Sequence, residues 1–245
     1  MRLNKFISES GACSRREADK WIEQGRVSIN GKPAVLGTQV NDADQVYIDG
    51  EPVGMKKRAI YIALNKPVGI ECTTNMSVEN NVVDFVGYPE RIFPVGRLDK
   101  DSEGLILLTN NGDIVNGILR AENHHEKEYI VEVDRPITDI SVNIMASGVR
   151  ILGVMTRPCQ VSRVNQRTVR IILTQGLNRQ IRRMFSSLGY QVRHLQRVRI
   201  MNIHLGQMGI GKWRLLTEAE IKGLSRPALA KLRRVDARGP EFGAG

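Results

Sequence analysis

Leu105-Ile106-Leu107-Leu108 is apolar at four successive positions, and a strand of that pattern must bury both of its faces. It therefore requires a sheet covered by other structure on each side. The chain's 245 residues suffice for one domain of that kind and a smaller companion. Just ahead of the run lies Gly96-Arg97-Leu98-Asp99-Lys100-Asp101-Ser102-Glu103, with three acids and two bases. Charges in that position sit at the rim of the core. A carboxylate there is held rigidly and partly desolvated, the setting in which an Asp acquires a specific chemical task. A solvated turn has the same composition, so the loop needs support from elsewhere in the chain.

Charge gives the first support. Lys and Arg outnumber Asp and Glu by 36 to 26, a net charge of +10 and a pI near 9.8, which points to a polyanionic partner, nucleic acid first. No membrane partner is expected. No basic helix carries bulky apolar residues on one face, no run approaches the ~20 apolar residues of a membrane span, and Met1-Arg2-Leu3-Asn4-Lys5-Phe6 lacks the apolar stretch of a signal peptide. Cys13, Cys72 and Cys159 are far apart and form no CxxC, as in a reducing, cytoplasmic setting. There is neither an HExxH nor a paired Cys/His cluster, and His124-His125 stand alone, so no metal is expected. Nor is a cofactor expected, since no glycine loop of Walker or dinucleotide type occurs.

Residues 1–48 read as a module of their own. Ser14-Arg15-Arg16-Glu17 has capping-box spacing, the helix after it places Ala18, Trp21 and Ile22 on one face, and Gly25 suits its stop. Val27-Ser28-Ile29 and Val46-Tyr47-Ile48 read as strands, each followed by a tight-turn pair, Asn30-Gly31 and Asp49-Gly50. Arg15, Arg16 and Lys20 share an exposed side of the helix, with Lys5 and Arg26 near in sequence; a solvated face is the plain alternative. Residues 49–59, including the small, basic, aperiodic Gly54-Met55-Lys56-Lys57-Arg58, read as a linker.

The second domain, 60–224, opens with the strand Ile60-Tyr61-Ile62-Ala63-Leu64, stopped by Asn65-Lys66-Pro67. Further strands are expected at 92–95, 105–109, 128–133, 158–164, 168–174, 191–201 and 212–216. Helices are expected near 111–120, 138–147, 178–188 and 217–223, with Asn178 as one cap, Thr217 and Glu220 as a capping box, and Gly189 as a stop. Neighbouring strands dominate, so the class is α+β with a mixed, mainly antiparallel sheet flanked by helices. The tail, 225–245, carries five Lys/Arg against two acids and is expected to extend, mobile, beyond the fold.

Two more segments complete a candidate site. One is His125-Glu126-Lys127-Glu128-Tyr129. The other is Gln175 to Phe185, where Arg179, Arg182 and Arg183 occupy the first turns of a helix, the end at which the macrodipole disfavours cations. Anions are expected there in compensation: phosphates, a carboxylate, or both. From Arg179 to Arg199 there are six Arg and no acid, an excess that core-covering Arg stems do not explain and an RNA track does.

The run from Arg2 through Ser14-Arg15-Arg16-Glu17-Ala18 to Asn30-Gly31-Lys32-Pro33 resembles the S4-type RNA-binding domain. Asn65-Lys66-Pro67-x-Gly69, Gly96-Arg97-Leu98-Asp99, Lys127-Glu128-Tyr129 and Gly176-x-x-Arg179-Gln180-Ile181-Arg182-Arg183-Met184 resemble the successive motifs of RNA pseudouridine synthases, in the branch that modifies bacterial ribosomal RNA. The first likeness implies that Lys5, Arg15, Arg16, Lys20 and Arg26 meet RNA phosphates. The second implies that Asp99 is the catalytic carboxylate, attacking ribose C1′ or removing a ribose proton, and that Arg182 pairs with it. It further implies that Tyr129 stacks on the target base and assists loss of the C5 proton. Arg97, Lys127, Arg179 and Arg183 then contact RNA, and a monomer acts on a flipped-out uridine of a ribosomal stem-loop, in 23S large-subunit RNA first and a structured tRNA as a further substrate, without cofactor or metal. Two rivals stay open from the residues alone: a non-catalytic ribosome-assembly factor, and a nuclease holding Mg²⁺ on Asp99, Asp101 and Glu103.

Overall fold

The computed structural model describes residues 1–41, 43–54, 58–119 and 125–224. The expectations for the tail at 225–245, for His124 and for Met55 to Lys57 lie outside these residues. The chain divides into two compact units, one built from 1–60 with 89–92 and 110–112, the other from 61–88, 93–109 and the residues from 113 onward.

In the first unit α1 (Leu3–Glu9) and α2 (Arg15–Glu23) accompany an antiparallel sheet of β1 (Val27–Ile29), β2 (Lys32–Pro33), β3 (Val46–Ile48) and β4 (Glu51–Pro52), ordered β2-β1-β3-β4. Leu3, Ile7, Ala18, Ile22, Val27, Val40 and Val46 form its core. The Ser14 hydroxyl accepts from the Glu17 N–H at 3.1 Å, as the capping box requires, while the Glu17 carboxylate turns to Lys20, 3.7 Å away. Asn30-Gly31 and Asp49-Gly50 both adopt positive φ and close two-residue hairpins, the geometry that matches strand twist. The second hairpin corrects the expected linker. Glu51 and Pro52 pair with Ile48 and Tyr47, and the Val53 N–H donates to Val46, so the fold runs past residue 48. The helix α1, unmarked by any side-chain cap, was not expected from the sequence.

The second unit is built on a nine-stranded sheet. Its strands are β5 (Tyr61–Lys66), β6 (Phe93–Pro94), β7 (Glu103–Thr109), β8 (Lys127–Val133), β11 (Gln160–Arg163), β12 (Thr168–Leu173), β13 (Val192–Ile200), β14 (Ile203–His204) and β15 (Trp213–Leu215); a separate hairpin joins β9 (Arg150–Ile151) to β10 (Val154–Met155). The order is β11-β12-β8-β13-β7-β5-β15, with β14 on β13 and β6 on β7. Every pairing is antiparallel except β13 with β7, where Gln196 faces Glu103 and Arg197 faces Gly104. β7 is buried at every position, as its apolar run demands. Gly104, at φ 105°, permits the parallel contact: a Cβ there would press on the Arg197 carbonyl and lie 2.7 Å from its nitrogen.

The helices are α3 (Val82–Val86), α4 (Gly112–Leu119), α5 (Asp139–Ser147), α6 (Gln180–Ser187) and α7 (218–224). Asn81 caps α3 by accepting from the Val83 and Asp84 N–H groups, and Thr138 caps α5 through Ser141. Thr217 and Glu220 form the reciprocal box before α7. The expected cap Asn178 is corrected. The residue before α6 is Arg179, in the left-handed region at φ 49°, and it makes no side-chain cap bond. Gln180 instead turns its own Oε1 back onto the Leu177 N–H at 3.0 Å.

Candidate active site

Four elements of the second unit converge on a cavity of about 460 Å³: the loop entering β7, the start of α6, and the strands β8 and β13. Asp99, Arg97, Lys127, Tyr129, Arg179, Arg182 and Arg197 are among its lining residues. The loop comes to the cavity because β7 is pinned centrally in the sheet, between β5 and β13. Tyr129 and Lys127, two apart on β8, fall on one face of the strand by its period of two.

The three acids of the loop part company. Asp101 is gripped by Arg179, whose Nη1 and Nη2 donate to its two oxygens at 3.0 and 2.7 Å, and by Arg182, whose Nε lies 3.3 Å from Oδ2. The Arg179 hydrogen bonds, aided by the charge of Arg182, hold the Asp101 carboxyl below the usual carboxylate range despite some burial. Glu103 lies 2.9 Å from His194 Nε2 and accepts from the Gln196 side chain at 3.1 Å. Only Asp99 of the three lines the cavity, with Arg179 Nη1 3.9 Å away. Carboxylates so dispersed do not converge on a Mg²⁺ ion, and among the described residues no group of three or more His, Cys, Asp or Glu is placed to hold a metal.

The implied pairing of Arg182 with Asp99 is corrected. Arg182 Nη2 donates to the Asp101 carbonyl at 2.8 Å and the Ser102 hydroxyl at 3.2 Å, and its Nη1 donates to the Val192 carbonyl at 3.3 Å. It fastens the loop to the end of β13 and reaches Asp99 only through the backbone it holds. The expected anion at the start of α6 is thus Asp101, which answers both Arg179 and Arg182. Arg183, one residue on, is exposed and turns back to the Asn178 carbonyl and side-chain oxygens. It does not line the cavity.

Lys127, expected at an RNA phosphate, lies instead in the cavity wall. Burial pushes its ammonium down to about 8, with a further push from Arg197. Tyr129 is 9% exposed and lines the same wall. Arg97 is exposed at the rim. The sequence did not single out Arg197, which is 3% exposed; its only signal was an Arg at the inward-facing register of β13. Lys66 was also missed. It is fully buried, donates to the Pro67 and Ile70 carbonyls at 2.9 Å each, and burial lowers its pKa.

In the first unit Arg15, Arg16 and Lys20 are exposed on α2. Lys5 lies 3.4 Å from Glu9. Arg26 is engaged within the unit: it forks onto Asp49, which it holds below the usual carboxylate range, and sits 4.8 Å above the Trp21 ring. Its charge is therefore largely answered within the unit.

Known proteins resemble the chain along nearly all of this architecture. Residues 60–187 match the RNA pseudouridylate synthase family and residues 1–46 the S4 domain. The chain is 54% identical to the dual-specificity RNA pseudouridine synthase RluF of Escherichia coli K12 over 90% of its own length and 77% of that protein. It is 32% identical to the ribosomal large subunit pseudouridine synthase B of Bacillus subtilis, over 91% and 95% of the two chains. A crystal structure of a pseudouridylate synthase, 32% identical, superposes with a TM-score of 0.68 over 91% of this chain and 99% of that one.

Proposed function

The chain belongs to the RNA pseudouridylate synthase family, and from that premise we propose that it isomerises a flipped-out uridine of ribosomal RNA with Asp99 as the reacting carboxylate. The observation that carries the assignment is the separation of the loop acids: Asp101 and Glu103 are committed to partners, and Asp99 lines the cavity. In this scheme the uridine leaves its stack and enters the cavity with its ring against Tyr129. Asp99 then attacks C1′ or takes a ribose proton; by either route the C1′–N1 bond breaks and its electron pair departs with the base. The base rotates and C5 bonds to C1′, displacing the Asp99 carboxylate on the first route or with return of the ribose proton on the second; the C5 proton then leaves and N1 takes one up. Arg179 and Arg182 serve by fixing the loop that carries Asp99, since positioning to within an ångström is worth about 100-fold in rate.

The first unit, an S4 domain, supplies phosphate contacts through Arg15, Arg16 and Lys20. Such contacts orient a structured stem-loop without reading its sequence, so the shape of the RNA selects the uridine. A ribosomal substrate is supported by the likeness to the large-subunit synthase B, and we extend the scheme to a cytoplasmic monomer. No helix of the described residues is long and apolar enough to cross a membrane.

Incubating the protein with unmodified ribosomal RNA in EDTA, followed by carbodiimide treatment and primer extension, tests the assignment. A new stop at a discrete uridine is expected. Bound but unmodified RNA would support an assembly factor instead, and cleavage restored by Mg²⁺ a nuclease.

A further inference from the structure

We propose that Arg197, with Lys127 beside it, holds the detached uracil as an anion while it turns in the cavity. The inference rests on the synthase assignment and adds to it a residue for the step between bond cleavage and rejoining.

Arg197 is anchored on two sides of the Asp99 loop. Its Nε donates to the Leu105 carbonyl at 2.6 Å and its Nη1 to the Arg97 carbonyl at 3.3 Å. Its Nη2 is buried and has no hydrogen-bond partner among the described residues. A buried charged donor left unpaired is costly, and such a group commonly awaits a ligand. Among the described residues no carboxylate pairs with Arg197: Asp101 is held by Arg179 and Arg182, Glu103 by His194 and Gln196, and Glu128 by Arg170 and Arg199. Lys127 lines the same cavity, where burial first and then the charge of Arg197 depress its ammonium, so two cations share a cavity with Asp99.

Uridine is neutral and does not need that excess of positive charge. The intermediate does. Whether Asp99 forms a bond to C1′ or removes a ribose proton to leave a C1′=C2′ double bond, the electrons of the C1′–N1 bond leave on the base. Uracil then carries one negative charge spread over N1, O2 and O4. Donors fixed where charge appears only after cleavage lower the barrier without tightening the ground state. The symmetry of the base suits a fixed donor as well. Half a turn about the axis through N3 and C6 exchanges N1 with C5 and O2 with O4. Donors that hold one carbonyl before rotation meet the other after it.

The test compares Arg197→Gln and Lys127→Met with the unaltered protein on ribosomal RNA transcripts containing uridine or 5-fluorouridine, reading single-turnover glycosidic cleavage and RNA affinity. Fluorine makes uracil a more acidic leaving group that needs less help. With uridine, Arg197→Gln is expected to slow cleavage roughly 100-fold at unchanged affinity, the usual effect of removing one such donor. With 5-fluorouridine its defect shrinks to about tenfold or less, because the leaving anion is stabilised internally. Lys127→Met, which leaves both Arg197 tethers in place, follows the same pattern more weakly, so the test survives if Arg197→Gln does not fold. Equal losses on the two bases would overturn anion stabilisation and leave Arg197 a positioning residue, as would full activity in both variants. An unaltered protein that makes no pseudouridine would overturn the synthase assignment, and this proposal with it.

Discussion

The cations of the first unit and those of the cavity differ in what they hold. Arg15, Arg16 and Lys20 stand exposed on α2. Arg182 and Arg197 are largely buried and direct most of their hydrogen bonds to backbone carbonyls, at Asp101, Val192, Leu105 and Arg97. An exposed cation contributes affinity that salt screens away; a buried one fixes the geometry of the loop it bonds. In the proposed scheme, basic side chains therefore serve docking in one region and chemistry in the other, and each can be disturbed separately.

The largest effect is expected at Gly104. Gly104→Ala places a methyl group against the Arg197 backbone in an unfavourable φ region, and should cost about 3 kcal/mol or more in chemical denaturation while abolishing turnover. Arg182→Ala should lower single-turnover rate roughly 100-fold by freeing the Asp101 carbonyl, with RNA affinity changed less than about threefold. A large affinity loss with normal turnover would erase the distinction between the regions. Arg15→Ala with Arg16→Ala should do the opposite. Affinity weakens about tenfold near physiological salt, the slope of log affinity against log salt drops by roughly 1 to 2, and turnover at saturating RNA holds.

Acidity sharpens the comparison. With its ammonium near 8, Lys127 is charged below that pH and neutral above it. If the charge serves the detached base, kcat/KM should fall about tenfold between pH 7 and pH 9, and Lys127→Arg should move that descending limb upward. The smallest effect is expected from Arg26→Ala, about twofold or less in RNA affinity, because Asp49 already answers that charge.

What the sequence disclosed was local. The apolar run of β7, the glycine-bearing turns after Ile29 and Ile48, and the caps at Ser14 and Thr217 each follow from neighbouring residues. Asn81-Val82-Val83 hid α3, since β-branched residues favour strands and the cap at Asn81 prevails only in context. In the site, Asp99 could be named from its motif, whereas the partner of Arg182 could not. Asp99 and Asp101 are two residues apart in one loop, and which of them faces α6 depends on how the loop is held by β13. Arg197 was hidden for the same reason. Its position under the loop comes from the parallel pairing of β13 with β7, a contact between residues 93 apart at Gln196 and Glu103 that leaves no local mark.

The most direct measurement is a time course of pseudouridine formation by carbodiimide primer extension, with Asp99→Asn and Asp101→Asn side by side and RNA affinity measured for both. Asp99→Asn is expected to bind RNA normally and give no stop at any time, while Asp101→Asn gives the same stop more slowly because its loop is loosened. A stop from Asp99→Asn, or its loss only with Asp101→Asn, would contradict the assignment of Asp99 as the reacting carboxylate.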